Sequence, residues 1–262
     1  MNRLEKVFQN NKAFIPFVTA GDPTLAITKE LVLCMEAAGA DLIELGIPFS
    51  DPVAEGPVIQ AADDRALANG ATTDKIFAMV EELRKESSIP IAFMTYINPI
   101  YTYGVERFME QCSKAQVDAI IVPDMPYEEK EEIKPYCNQY GITLISMIAP
   151  TSMERIRMIA KEAEGFLYCV SSLGVTGVRN KLGTGIAEMI AQAKGIKNIP
   201  CAIGFGISSP EQAKAMASIS DGVIVGSAIV KIVGEYGESC VPYVEDYVRR
   251  MKEACLNVSK CE

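Results

Sequence analysis

Eight times along 262 residues, a short apolar run gives way to a longer amphipathic stretch, and no other feature restricts the fold as strongly. The runs are AFIPFVTAG (13–21), DLIELGIP (41–48), IPIAFMTYI (89–97), DAIIVPDMP (118–126), TLISMIAP (143–150), GFLYCVSS (165–172), PCAIGFGIS (200–208) and GVIVGSAIV (222–230). Runs this long, rich in β-branched residues and apolar almost throughout, suit strands buried on both faces. The stretches between them, from TLAITKELVLCMEAAGA to the closing PYVEDYVRRMKEAC, carry helical spacing, and strands alternating with helices pair in parallel. Punctuation agrees. Thr151-Ser152 and Ser208-Ser209-Pro210 offer N-caps, the latter with an early proline, while Gly141 and Gly165 stand where a left-handed stop is favoured. Eight such units predict an α/β chain folded as a single (β/α)8 TIM barrel domain over residues 1–262, with an extra N-terminal helix over 3–10 closing its bottom. A doubly wound open sheet is the alternative.

Composition narrows the function. The net charge is −9 with no run of Lys or Arg, which argues against nucleic acid and anionic membrane as partners. No apolar run approaches the roughly 18 residues of a membrane span, and MNRLEKVFQNN lacks a signal-peptide core. Eight cysteines without a CxxC pair, and no histidine, leave no structural metal site to expect and make a reducing cytoplasm the default. The absence of histidine also means that acid–base chemistry near neutrality must come from carboxylate, Tyr, Lys, Cys or water.

In a barrel, the residues at the C-terminal ends of the strands form the active site. A period of two along the second strand puts Ile43, Leu45 and Ile47 toward the helices and Leu42, Glu44 and Gly46 toward the barrel interior. Glu44 is then an inward carboxyl among apolar neighbours, with a raised pKa and the competence of a general acid. A structural glutamate bonded to backbone amides is the plainer reading. Glu55 follows in a loop stiffened by Pro48, Pro52 and Pro57, where a fixed position has value only if geometry matters. After the seventh and eighth strands, GFGISSPEQ and GVIVGSAIV supply glycines and helix starts, which predict a phosphate held by backbone amides without a lysine or arginine as main ligand. SSLGVTGVRNKLGTG (171–185) reads as a connection or as a lid hinged at its glycines. Phe17, at the top of the first strand, reads equally as core or as a platform for ligand.

Taken together, FVTAGDP (17–23), ELGIPFSDPVAEGPVIQ (44–60), GVTGVR (174–179), GFGISSPEQ (204–212) and VGSAIV (225–230) resemble the tryptophan synthase alpha subunit, in the right order and over the full chain. The resemblance implies a (β/α)8 barrel that cleaves indole-3-glycerol phosphate to indole and glyceraldehyde 3-phosphate by a retro-aldol reaction without a cofactor. It implies Glu44 as the acid–base glutamate and Glu55 as the second carboxylate. Thr176 and Gly177 correspond to the closing loop, Gly206, Gly226 and Ser227 to phosphate-binding positions, Tyr168 to a tyrosine near the glycerol chain and Phe17 to a phenylalanine beside the indole. Asp51, Pro52 and Asn98 correspond to contacts with the beta subunit, the implied partner in an alpha–beta–beta–alpha complex. Two positions depart from the family pattern: Glu55 stands where the family has aspartate, and Ser172 where many relatives carry arginine. A weakly catalytic subunit that activates its partner, and a stand-alone lyase releasing indole, remain as alternatives.

Overall fold

The computed structural model describes residues 3–9, 11–150, 152–170, 179–204 and 206–258, apart from the side chains of 179–184. Nine strand segments carry the architecture: β1 (Ala13–Thr19), β2 (Ile43–Gly46), β3 (Ile91–Met94), β4 (Ala119–Ile121), β5 (Thr143–Leu144), β6 (Ser146–Ile148), β7 (Leu167–Val170), β8 (Cys201–Gly204) and β9 (Gly222–Val225). Every pairing is parallel. The strand order is β5-β4-β3-β2-β1-β9-β8-β7-β6. Its two ends are halves of one run of chain, split only at Ile145, whose N–H donates to the Ile120 carbonyl at 2.9 Å. The sheet therefore closes on itself as an eight-staved barrel, and the open doubly wound alternative falls.

The period-two reading of β2 holds. Ile43, Leu45 and Ile47 pack in the layer between strands and helices. Leu42 packs in the barrel interior with Ile15, Ala92, Ala119, Ile121 and Ile224. The N-terminal helix is shorter than expected, Arg3–Val7, yet it does plug the barrel: Leu4 and Val7 join the interior cluster, and the Phe8 and Phe166 rings lie 5.4 Å apart. Helix starts follow the capping chemistry, with Thr24, Thr72, Ser152 and Ser209 side chains each accepting a backbone N–H of the first turn. No helix of the described residues is long and apolar enough to cross a membrane.

Apart from β1 and β5–β6, the expected strands are markedly shorter than their apolar runs, because the run continues past the last ladder bond into the loop or helix that builds the site. The run GVIVGSAIV is ladder only to Val225 and turns helical at Ser227, the helix start its Gly226-Ser227 offers, and Ile97 opens the helix Ile97–Tyr103. A further helix, Pro57–Ala68, replaces what reads as a loop extension. Its Pro57 sits at the first position, where a missing N–H costs nothing.

The base of the barrel repeats one device that sequence reading did not isolate. An aspartate just before a strand accepts a backbone N–H from the neighbouring strand: Asp41 from Phe14 at 2.7 Å, Asp118 from Ile91 at 2.9 Å, Asp221 from Cys201 at 2.8 Å. Each also meets a cation, Lys252 for Asp41, Arg3 and Arg84 for Asp118, and Lys194 for Asp221. These charges sit at the bottom of the barrel, where residues serve stability rather than catalysis.

Candidate active site

At the opposite mouth a cavity of about 550 Å³ opens among the strand ends. Phe17, Glu44, Glu55, Tyr168, Gly206, Gly226 and Ser227 all line it, so seven sequence-predicted residues from five βα units converge on one space. Thr176 and Gly177 lie outside the described residues, as does Ser172. Asp51 and Pro52 sit on the outer rim, Asp51 exposed and accepting from Ser50 Oγ at 2.6 Å, and Asn98 is exposed on the next loop's helix, where it accepts from Thr102 Oγ1 at 3.1 Å.

Phe17 and Glu44 are register partners on β1 and β2. The Phe17 ring lies across Gly46, where an added Cβ would come within 2.6 Å of Phe17 Cζ. Tyr168 lies in the same way across Gly204, with 2.5 Å from a built Cβ to its hydroxyl. Gly204 thus makes room for the tyrosine ring, a different task from the close approach to ligand that its sequence context suggests.

Glu44 is 1% exposed, and its Oε2 has no hydrogen-bond partner. Burial, reinforced by the charge of Glu55, pushes its carboxyl up to about 8. At neutral pH it is a carboxylic acid with a proton to give. Its nearness is also felt by Tyr168, whose hydroxyl is held well above the usual phenol range by burial first and by the Glu44 charge second.

Glu55 is half-buried, and its surroundings were not legible as a site. Asp63 on the helix Pro57–Ala68 is 4% exposed, and its carboxyl and the Tyr96 hydroxyl both bear on the Glu55 carboxyl. Tyr96 Oη also accepts from the Ala54 N–H at 3.0 Å, and the Phe49 and Tyr96 rings lie 5.6 Å apart, which ties the rim loop to the exit of β3. Asp63 and Tyr96 go unassigned in the sequence because 57–68 reads as loop and the third apolar run reads as strand to residue 97. A signal existed: Asp63 falls on the apolar stripe of Ile59, Ala62 and Ala66, where a charged residue is out of place.

The anion end differs from expectation in two ways. The N–H groups of Ser208 and Ser209 are taken by the Gln212 side chain, at 2.8 and 3.2 Å, in a capping box, so this helix start offers no free amide there. The open amides lie instead at the start of Ser227–Tyr236, where Gly226, Ser227 and Ala228 line the cavity beside Gly206. Gly206 holds φ +74, a left-handed conformation that side-chain-bearing residues rarely adopt. Lys231, one turn into the same helix, also lines the cavity and adds a cation that sequence reading had discounted.

Residues 4–256 match the family model described as tryptophan synthase alpha chain. The chain is 48% identical over 255 residues to the tryptophan synthase alpha chain of Lactiplantibacillus plantarum, covering 97% of this chain and 96% of the relative. Among solved structures it superposes on tryptophan synthase subunit alpha from Legionella pneumophila with a TM-score of 0.90 at 36% identity, covering 98% and 100% of the two chains. It also matches, at TM-score 0.85 and 38% identity over 93% of this chain and 98% of the other, a structure described as showing mutual activation of the tryptophan synthase α2β2 complex of Pyrococcus furiosus. A closed parallel barrel, an inward acid at its mouth and these likenesses agree: the chain belongs to the tryptophan synthase alpha chain family.

Proposed function

We propose that this chain cleaves indole-3-glycerol phosphate to indole and glyceraldehyde 3-phosphate, as the alpha subunit of tryptophan synthase in tryptophan biosynthesis, from a single barrel domain over 1–262 in the cytoplasm. The observation that carries the reading is Glu44: a buried, protonated carboxyl with an unpartnered oxygen, in a cavity also lined by helix-start amides.

The chemistry follows from these positions. Glu44 gives its proton to C3 of the indole ring, and positive charge develops on the ring nitrogen. Glu55 accepts the ring N–H and stabilises that charge, an electrostatic contribution worth most in a site shielded from water. The bond between C3 and the glycerol chain then breaks, its electron pair returning to the ring. The hydroxyl carbon becomes the aldehyde, and its proton returns to Glu44, which ends as it began. Amides of Gly206, Gly226 and Ser227, with Lys231, hold the phosphate; Phe17 and Tyr168 flank ring and glycerol.

The product indole passes to a tryptophan synthase beta subunit, docked on the rim that presents Asp51, Pro52 and Asn98. Val53, 78% exposed on the same rim, adds an apolar contact. Tyr96, which bears on Glu55, also accepts from the Ala54 N–H of the rim, so docking and catalysis share one loop. That coupling speaks against a subunit reduced to activating its partner. Indole release from indole-3-glycerol phosphate, measured with and without a beta subunit, tests the reading. Release that rises on adding the partner supports it, and no release in either case overturns it. Linkage further requires that glycerol phosphate tighten the alpha–beta complex.

A further inference from the structure

Glu55 Oε2 is buried and takes no hydrogen bond, and the buried Asp63 carboxyl lies against the Glu55 carboxyl. Two ionised carboxylates have only acceptors to offer each other, so this contact is unfavourable in charge and empty in hydrogen bonding unless one of the pair holds a proton. Among the described residues, the side chains bearing on the pair include no cation, and the Phe49 backbone N–H is the one main-chain donor to Asp63. From β2 comes Glu44, from the end of β3 the Tyr96 hydroxyl, and from the helix itself Asp64; Asp124 bears on Tyr96 from the loop after β4. All but Tyr96 are acids.

Resting on the lyase reading above, we propose that Asp63 is a positioning residue that works as a neutral carboxylic acid, its O–H donating to Glu55 and, together with the Tyr96 hydroxyl, fixing the glutamate arm against the substrate ring. The two sites on Glu55 then have separate uses. One oxygen is held by Asp63, and the other stays free to accept the ring N–H.

The residue types fit this division. Tyr96 donates its own proton toward Glu55 while accepting from Ala54, so it cannot also neutralise the pair. Asp63 is the more deeply buried of the two acids and is pushed up to about 9, by burial first and then by Glu55 itself. Burial raises both acids, and the more deeply buried Asp63 keeps the proton while Glu55, with the Tyr96 hydroxyl at hand, keeps the charge. The glutamate arm at 55 has one methylene and one rotatable bond more than an aspartate would. A donor clamp from the adjoining helix removes that freedom, and misplacement by about 1 Å costs on the order of a hundredfold in rate.

Two measurements test this, one independent of the lyase reading. Infrared difference spectra of the parent against Asp63→Asn at pH 7 should show loss of a protonated carboxyl band; loss of an ionised carboxylate band instead overturns the assignment. In indole release with a beta subunit present, Asp63→Asn, which keeps a neutral donor, should lose less than about tenfold in kcat, and Asp63→Leu about a hundredfold with KM little changed. Equal kcat in the two variants overturns the clamp. A parent that releases no indole would sink the lyase reading alone, since the infrared result would still decide whether Asp63 carries the proton.

Discussion

Phe17 and Glu44 stand opposite each other in the β1–β2 ladder, an aromatic plate and a buried acid at the same level of the barrel wall. Parallel pairing fixes this relationship more firmly than any loop could, because Glu44 is paired on both sides of its strand, with Phe17 and with Ala92. The acid's height relative to the ring is therefore a property of the barrel, while Glu55, on the rim, depends on its neighbours. Sites built on strands are positioned more sharply than sites on loops.

The buried acid carries a stability cost whose sign can be worked out. Glu44 rises from an ordinary value of 4.5 to about 8, so between those limits the folded chain holds a proton that the unfolded chain has released. Stability then falls as pH rises across that window, by at most about 1.4 kcal/mol per pH unit for this one group. Glu44→Gln should be more stable than the parent at pH 8, by a margin that shrinks toward pH 5. Urea midpoints at pH 5, 6.5 and 8 check this, and a constant difference would contradict it.

The fold was legible because strands buried on both faces leave a strong apolar signature, and eight of them in alternation admit few architectures. Strand ends were not, since Ser227–Val230 and Ile97 are as apolar as the ladders before them, and only hydrogen bonding separates strand from helix there. Glu44 could be found by period alone. Asp63 is marked in the sequence only as a charge on an apolar stripe, and its role and that of Tyr96 arise from contact with Glu55 across two different βα units.

At the anion end, Gly206→Leu should raise the dissociation constant of glycerol phosphate at least about tenfold, because φ +74 strains any side-chain-bearing residue and the new atoms fill the cavity lining. Calorimetric titration reads this directly. An unchanged constant would move the phosphate elsewhere.

At the base, Asp118 accepts from Ile91 N–H, Arg3 and Arg84. The Arg84 side chain is 5% exposed and has no room to find water. Asp118→Ala leaves that cation with only the Ile89 and Gln116 carbonyls and no counter-charge, and leaves the Ile91 N–H without its acceptor, at a cost of about 3–5 kcal/mol. Denaturant unfolding should show the loss, while kcat of the remaining folded enzyme should be unaltered, since the site lies at the other end of the barrel.

The central claim is that Glu44 supplies and recovers the proton of the cleavage. Its most direct test is indole release by Glu44→Gln with a beta subunit present at neutral pH, alongside binding of indole-3-glycerol phosphate to the same variant. The amide keeps the size of the side chain but has no proton of the needed acidity, so turnover should fall by at least about a hundredfold while affinity stays within a few fold of the parent. Turnover within tenfold of the parent would contradict the assignment.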